Sequence, residues 1–543
     1  MIEKLGEELR SEKFSSLVDV LDYVGKEHSA LPAFSCFKQT LSYGEIDELS
    51  SRFATMLQQK TNLKPGHRIA IQLPNVLQFP IVLYGALKAG LIIVNTNPLY
   101  TANEMVHQFC DSGVKAIVIL ENFCDKLEEV LDRTDIESIF VTKIGDFQSP
   151  FQSRLMNFGI KYIKKLVPVY SLPNSHSLTD LSNFDSDYLR PKHRASGDDV
   201  CVILYTGGTT GVSKGAMLSH SNLISNMMQL RSRCLAVIED KVENIAAPLP
   251  LYHSYAFLLH CLAMPYAGNH NILITNPRDL DGLIKLFSSV TINGFVGINT
   301  LYLAMLRHKN FPKINFETLK FCGAGGMAMA SSVMEEWEKV TGCEIYEGYG
   351  LTECSPVVSV NIPGRVKLGT VGPLVPETEL KVMADSGDEV PQGETGEAWI
   401  RGPQVMLGYW NRPEETAETI TEDGWFKSGD YVSVDSDGYI RIVDRKKDMI
   451  LVSGFNVFPN EIEDWVNGHP GVLESAAIGM PNERSGEAVK LFVVRQDQSL
   501  TSEEIVRHCK KGLTAYKLPR DIVFVADLPK SNIGKILRRE LRD

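Results

Sequence analysis

The patterning of this chain predicts an α/β protein with a β-rich subdomain and a separate, smaller α+β region at its C-terminal end. Three observations carry that reading. Helical and strand-like patches alternate through most of the sequence. Over residues 364–442 the texture changes to short β runs broken by turns such as Ser386-Gly387-Asp388 and Asp437-Gly438. Beyond the charged run Asp444-Arg445-Lys446-Lys447-Asp448, about a hundred residues of mixed pattern close the chain. At 543 residues a single core is too small a container, so two or more domains are expected.

Taken in order, Arg68-Ile69-Ala70-Ile71-Gln72-Leu73 predicts a strand. The most apolar stretch, residues 79–94, is short for a bilayer span and carries Lys88 in its middle, which predicts a core helix followed by a buried strand. Residues 103–110 and 127–131 read as pieces of helices, with Ala116-Ile117-Val118-Ile119-Leu120 a strand between them. Val200-Cys201-Val202-Ile203-Leu204 and Leu319-Lys320-Phe321-Cys322 read as strands that each run into a glycine-rich loop. Residues 444–448, between two β segments, suit an interdomain hinge, with a solvated turn as the other reading.

With 44% apolar and 22% charged residues, composition is that of a soluble globular protein. A net charge of -12 argues against nucleic acid, and any anionic nucleotide would need locally concentrated donors. Ten cysteines are scattered with no CxxC pair, which fits buried thiols in a reducing cytosol better than a disulfide framework or a zinc site. The first residues contain no apolar core of a secretory signal, so a cytoplasmic protein is expected, with membrane contact at its surface only.

The richest local signal is Tyr205-Thr206-Gly207-Gly208-Thr209-Thr210-Gly211-Val212-Ser213-Lys214-Gly215. Glycines let the backbone turn tightly and bring N–H groups to an anion, Thr and Ser hydroxyls add donors, and Lys214 supplies a point charge for phosphate. The run is no Walker A loop, since no GK[ST] follows at the required spacing. Residues 211–215 match the GxSxG elbow of serine hydrolases, but that elbow sits directly between strand and helix, and here a Gly/Thr run intervenes. A plain surface loop is the bland reading. A second run, Gly323-Ala324-Gly325-Gly326-Met327-Ala328, fits GxGxxA with Glu344 and Glu347 about twenty residues on, so a dinucleotide-binding unit is a further reading.

One resemblance covers both loops. Residues 205–215 together with Glu347-Gly348-Tyr349-Gly350-Leu351-Thr352-Glu353 resemble the adenylate-forming superfamily of acyl-CoA synthetases, luciferases and peptide-synthetase adenylation domains. Ser428-Gly429-Asp430, Asp444-Arg445 and Asn532-Ile533-Gly534-Lys535 follow in the family's order. Residues 94–101, 402–410 and 448–457 are similar, more narrowly, to bacterial long-chain fatty-acid–CoA ligases. The resemblance implies a large N-terminal domain of two α/β halves plus a β-rich subdomain (residues 1–443), a hinge (444–448) and a small mobile α+β lid (449–543).

It also implies an acid–thiol ligase that joins a fatty acid to coenzyme A through an acyl-adenylate, using ATP and Mg²⁺. By resemblance, Thr206, Gly207, Gly208, Thr209, Thr210, Gly211 and Lys214, with Tyr205 leading in, hold the β- and γ-phosphates. Glu353 ligates the metal, Thr352 contacts the α-phosphate, and Gly323, Ala324, Gly325, Tyr349 and Gly350 cradle adenine. Asp430 accepts from the ribose hydroxyls with Arg445 beside it, Lys447 is the pivot, and Lys535 bridges the substrate carboxylate and the α-phosphate. His253 falls on the acyl-site wall, with a satisfied core histidine as the alternative, and Gly454 falls toward coenzyme A. Ser428 stands where the family usually has Thr and keeps the hydroxyl. The chain ends soon after Lys535 with no carrier domain, which disfavours a peptide-synthetase role. A second copy, as a homodimer, and an anionic membrane surface are further candidate partners.

The membrane candidate comes from the residues themselves. Residues 151–166 carry Arg154, Lys161, Lys164 and Lys165 and no acid. On a helix these cations share an arc of about 100°, beside an apolar face of Phe151, Leu155, Phe158, Tyr162 and Leu166. That suits an interfacial helix. The alternative, favoured by the weakening effect of Gly159, is a domain helix whose apolar face packs inward.

Overall fold

The computed structural model describes residues 14–191, 195–206, 213–233, 237–238, 242–482, 484–531 and 534–542. Its strands form two eight-stranded sheets, one of four strands and one of five.

The centre of one eight-stranded sheet is parallel: Val200–Thr206, Ile92–Asn95, Arg68–Gln72, Val114–Leu120 and Ser138–Thr142 lie side by side. These strands are near-continuous apolar runs, as a sheet covered on both faces requires. The strand expected at residues 68–73 is there, and residues 79–94 divide as expected into the fully buried helix Gln78–Lys88 and the buried strand Ile92–Asn95. Lys88 survives in that helix because its ammonium is satisfied. It donates to the Asp47 carboxylate at 2.6 Å and to the hydroxyls of Ser50 and Ser51 at 2.8 and 2.9 Å. The helix at residues 103–110 is Ala102–Ser112, started by a capping box of Thr101 and Glu104 and stopped by Gly113 at φ 61°.

The second eight-stranded sheet is parallel from Ile345–Gly350, Phe321–Ala324 and Gly294–Gly297 through Asn244–Ala247 and His270–Leu273 to Pro32–Cys36, with an antiparallel strand at each edge. Apolar side chains from both large sheets merge into one continuous core, so the two α/β halves pack as a unit. The β-rich region expected at 364–442 is an antiparallel sheet of Glu379–Met383, Gly396–Arg401, Phe426–Val434 and Ile440–Arg445. The five-stranded sheet begins at Ile450 and, with the helices Pro459–Asn467 and Ser502–Cys509, builds its own core around Val457, Ile462, Leu491 and Ile505.

Residues 151–166 depart from the expected continuous α-helix. Pro150–Phe158 is α-helical, and at Gly159 the chain widens into a π turn through Ile163, where Lys164 N–H reaches back to the Gly159 carbonyl. The inward-packing alternative is overturned, because no side chain in either element is buried. Of the nine cysteines described as free thiols, all but Cys110 are buried. Among the described residues, no helix is long and apolar enough to cross a membrane.

Candidate active site

The carboxyl ends of the parallel strands from both large sheets open onto one cavity of about 1310 Å³. Asn95, Thr206, Ala324 and Gly350, each the last residue of its strand, line it. Crevices at this end of open α/β sheets are where ligands bind. The C-terminal region closes the other side through Lys530, Ser531, Lys535 and Arg538.

Val200–Thr206 turns back as the antiparallel strand Lys214–Ser219, with Thr206 opposite Lys214. Gly207, Gly208, Thr209, Thr210 and Gly211 lie outside the described residues. A return strand where a nucleophile elbow needs a helix removes the hydrolase reading of residues 211–215. The loop's two stems are braced from far along the chain. Tyr205 Oη donates to Asp111 Oδ2 at 2.6 Å, and Arg412 grips the other oxygen of Asp111 at 2.7 Å. Lys214 Nζ lies 5.2 Å from the centre of the Tyr409 ring, whose hydroxyl donates to Glu353 Oε1 at 2.9 Å.

The backbone completes this connection. Trp410 N–H donates to the Gly215 carbonyl and Met406 N–H to that of Glu353. Residues 402–410 thus tie the strand bearing Lys214 to the loop bearing Glu353. Sequence reasoning quoted this run without giving it a role.

Glu353 lines the cavity, and burial raises its carboxyl above the usual range, with Tyr409 and Arg445 pulling the other way. Thr352 Oγ1 sits 3.1 Å from Ser254 Oγ. Tyr349 donates to Asp430 Oδ2 at 2.6 Å, and Arg445 Nε lies 3.3 Å from Oδ1. Ser428 Oγ donates to the Ala398 carbonyl and accepts from Asp430 N–H, so the hydroxyl at 428 holds the turn that presents Asp430.

Ala324, Gly325, Tyr349 and Gly350 line the cavity, whereas Gly323 is set back. Its carbonyl accepts from Tyr302 Oη at 2.8 Å, and a Cβ there would meet Tyr255 Oη at 3.0 Å. The dinucleotide reading fails here: Gly323 belongs to the strand, and the next helix starts only at Ser331. Glu347 has a different task. Its buried carboxyl accepts from Met329 N–H at 2.9 Å, bracing the loop after that strand, and burial pushes it up to about 8.

Lys535 enters from the C-terminal region on a turn closed by Ser531, whose hydroxyl accepts from Lys535 N–H at 3.1 Å. Gly534 beside it has φ 78°, and a Cβ there would lie 2.6 Å from Ile298 Cδ1, so a glycine lets the turn seat against the N-terminal wall. Withdrawal from water, reinforced by the Arg445 and Lys447 cations, brings Lys535 down to about 7. His253 lines the same cavity. Burial and then the nearby Lys535 lower it to about 4, which leaves its imidazole neutral. Gly454 is not in the wall; it stands exposed between the strands Ile450–Val452 and Phe455–Val457.

Lys447 also lines the cavity, lowered by burial and then by Arg445. Its two neighbours are anchored in opposite directions. Lys446 pairs with Asp385 at 2.9 Å and Glu397 at 3.1 Å in the β-rich region, while Asp448 faces Arg538 and Arg542 at 3.5 Å. Arg538, absent from the expected site, also forks onto Glu463 at 2.7 and 3.1 Å.

No group of three or more His, Cys, Asp or Glu side chains suited to a metal occurs among the described residues. A metal held by Glu353 would therefore have to take most of its remaining ligands from phosphate oxygens and water. That fits Mg²⁺ arriving with a nucleotide, since this ion keeps several waters and takes few protein ligands.

Comparison with known proteins agrees with this geometry. The family model described as AMP-binding enzyme matches residues 21–410, and that of the AMP-binding enzyme C-terminal domain matches 461–535. A long-chain-fatty-acid–CoA ligase of Salmonella typhimurium is 46% identical over 540 residues, covering 99% of this chain and 96% of that one. The Bacillus subtilis protein of the same name is 33% identical, over 94% and 91%. Among solved structures, ATP-bound MatB from Rhodopseudomonas palustris superposes with a TM-score of 0.83 at 27% identity, over 97% of this chain and 98% of that one. The chain belongs to the AMP-binding enzyme family.

Proposed function

We propose that this protein is an ATP-dependent long-chain fatty-acid–CoA ligase. The observation that carries the reading is convergence: Lys214, Glu353, Asp430 and Lys535, drawn from residues far apart in sequence, line one cavity. The chain length of the acid follows the relatives named above, which span essentially the whole of this chain.

A carboxylate is a poor electrophile, because its charge repels nucleophiles and oxide does not leave. In the first step a carboxylate oxygen attacks the α-phosphorus of ATP, the bond to the β-phosphate oxygen breaks, and pyrophosphate departs. The resulting acyl-adenylate has AMP as its leaving group. In the second step the sulfur of coenzyme A attacks the acyl carbon, AMP leaves, and the thiol proton passes to solvent. Two anions must be aligned first, so concentrated positive charge in a water-poor cleft is the protein's contribution.

Lys214 and the 206–211 loop hold the outer phosphates, and Glu353 would hold Mg²⁺, which would supply neutralisation of the phosphate charge. Thr352 reaches the α-phosphate. Tyr349, Ala324 and Gly325 form the adenine wall, and Asp430, steadied by Tyr349 and Arg445, accepts from the ribose. Lys535 bridges the two reacting anions. His253, neutral and close to Lys535, belongs to the acyl side. Residues 1–443 form the binding domain and 449–543 the lid, with Lys447 the pivot, a reading supported by the opposed anchoring of Lys446 and Asp448. Gly454, away from the cavity in this arrangement, comes into play when the lid turns to admit coenzyme A. The working location is the inner face of the cytoplasmic membrane, where fatty acids leave the bilayer.

The direct test is pyrophosphate release across acids from acetate through palmitate to coumarate, with and without coenzyme A. Palmitate-dependent pyrophosphate release, with AMP release that needs coenzyme A, is expected. Release equal without any acid, or strongest with coumarate, refutes the assignment.

A further inference from the structure

The segment after the strand Ser138–Thr142 is built in reverse of an ordinary surface helix. Its ties to the body are polar. Asn157 Oδ1 accepts from Gly145 N–H at 2.9 Å, Asn157 Nδ2 donates to Asp146 Oδ1 at 3.3 Å, and Asn122 Nδ2 donates to the Leu166 carbonyl at 2.9 Å. Its apolar side chains face water instead. Phe151 is 77% exposed, Ile163 74% and Val169 99%, while Leu155, Phe158, Tyr162 and Leu166 stand at 55–61%. Seven of the eighteen large apolar side chains exposed among the described residues fall within 151–169. A soluble surface rarely gathers so many in one short stretch without a partner to cover them.

Charge identifies the partner. The chain as a whole carries -12, yet residues 147–179 contain no Asp or Glu and hold Arg154, Lys161, Lys164 and Lys165, all four exposed. A greasy face alone would suit a protein as well as a lipid. Cations interleaved with Phe and Tyr, on an element lying along the surface, suit the boundary between anionic headgroups and acyl chains. Through the π turn at Gly159–Ile163 the exposed set continues, with Tyr162 and Ile163 both open to water. The far end of the segment is linked toward the cavity wall: Asn122, which holds Leu166, is four residues from Lys126, which donates to the carbonyl of cavity-lining Tyr100 at 3.1 Å.

We propose that residues 150–169 are the docking surface of this protein for an anionic lipid bilayer, with Phe151, Leu155, Phe158, Tyr162 and Ile163 inserting at the headgroup boundary and the four cations pairing with phosphates. This rests on the ligase reading for its purpose, since it sets the cavity beside the phase that holds the substrate. It rests on the surface alone for its existence.

The test is sedimentation of the full chain with phosphatidylcholine vesicles with and without phosphatidylglycerol. The chain co-sediments with the anionic vesicles and far less with the neutral ones. R154E/K161E/K164E/K165E lowers the bound fraction at least about tenfold, taking about a factor of five per cation as the scale. F151S/F158S/I163S lowers it at high salt as well, where the charge contribution is screened. In Tyr162→Trp, indole emission shifts to the blue when anionic vesicles are added. Both multiple variants keep pyrophosphate release from detergent-dispersed palmitate, which shows that they are folded. Wild-type binding by the quadruple Glu variant, or no binding by the parent chain, overturns the docking surface. Loss of acid-dependent pyrophosphate release in the parent chain strikes the ligase reading and leaves vesicle binding standing.

Discussion

Lys535 is the residue on which the most can be measured. A lysine facing a phosphate near a protein surface interacts by about 4 kcal/mol at an effective dielectric of about 20. Lys535→Ala should slow acyl-adenylate formation by about 10²-fold or more. On the proposed turn of the lid, which would withdraw Lys535 for that step, thioester formation from supplied acyl-adenylate should survive. Equal loss in both half-reactions, measured separately, would contradict the role. The same lysine makes nucleotide binding pH-dependent. In the empty cavity burial and the Arg445 and Lys447 cations hold it at about 7, so at pH 8 it is mostly neutral. Arriving phosphates favour the charged form and raise it again. ATP binding should therefore take up most of a proton at pH 8 and almost none at pH 6, where the ammonium is already formed. Calorimetry in two buffers of different ionisation heat reads this directly, and Lys535→Arg should abolish it.

At the scale of elements, the joint between Arg445 and Ile450 is the informative one. Lys446 is held by Asp385 and Glu397, Asp448 by Arg538 and Arg542, and Lys447 alone lies between the two sets of ion pairs. Proline fixes φ, so Lys447→Pro should block thioester formation while sparing adenylation, and acyl-adenylate should accumulate on the enzyme. Normal coenzyme A-dependent turnover in that variant would remove the pivot role from Lys447.

Much of the framework was legible in the chain itself. Apolar runs marked the strands Arg68–Gln72 and Val114–Leu120, and the short span of residues 79–94 with a lysine inside it marked a core helix and buried strand rather than a membrane span. What stayed hidden was contact across sequence distance. Asp111 meets Tyr205 across 94 residues and Arg412 across 301, and no local period encodes either meeting. Tyr409 was visible as part of a run but not as the link from Lys214 to Glu353. The orientation of residues 150–158 was equally hidden, because an apolar stripe has the same period whichever side of the helix meets the body. Asn157 decides it through Gly145 and Asp146.

Over the whole molecule, charge is segregated. Among the described residues the cavity is lined by nine cationic side chains and five carboxylates, in a chain whose net charge is -12. A nucleotide is thus repelled by the general surface and drawn into one place, which is how an acidic protein binds a polyanion. Raising ionic strength from about 0.01 to 1 M shortens the screening length from about 30 to 3 Å. The apparent affinity for ATP should fall several-fold over that range, in stopped-flow or equilibrium titration, while the response to a neutral adenosine analogue stays flat.

The outward-facing segment at 150–169 has a colloidal consequence for the purified protein. In lipid-free buffer its exposed rings and aliphatic chains have only one another to lie on. Concentrated samples should therefore associate reversibly through this face, and mild detergent below its critical micelle concentration should disperse them. The net charge of -12 opposes growth beyond small clusters. A dimer seen under such conditions would then report the absence of a bilayer rather than an assembly required for turnover, and F151S/F158S/I163S would run as a monomer in the same buffer.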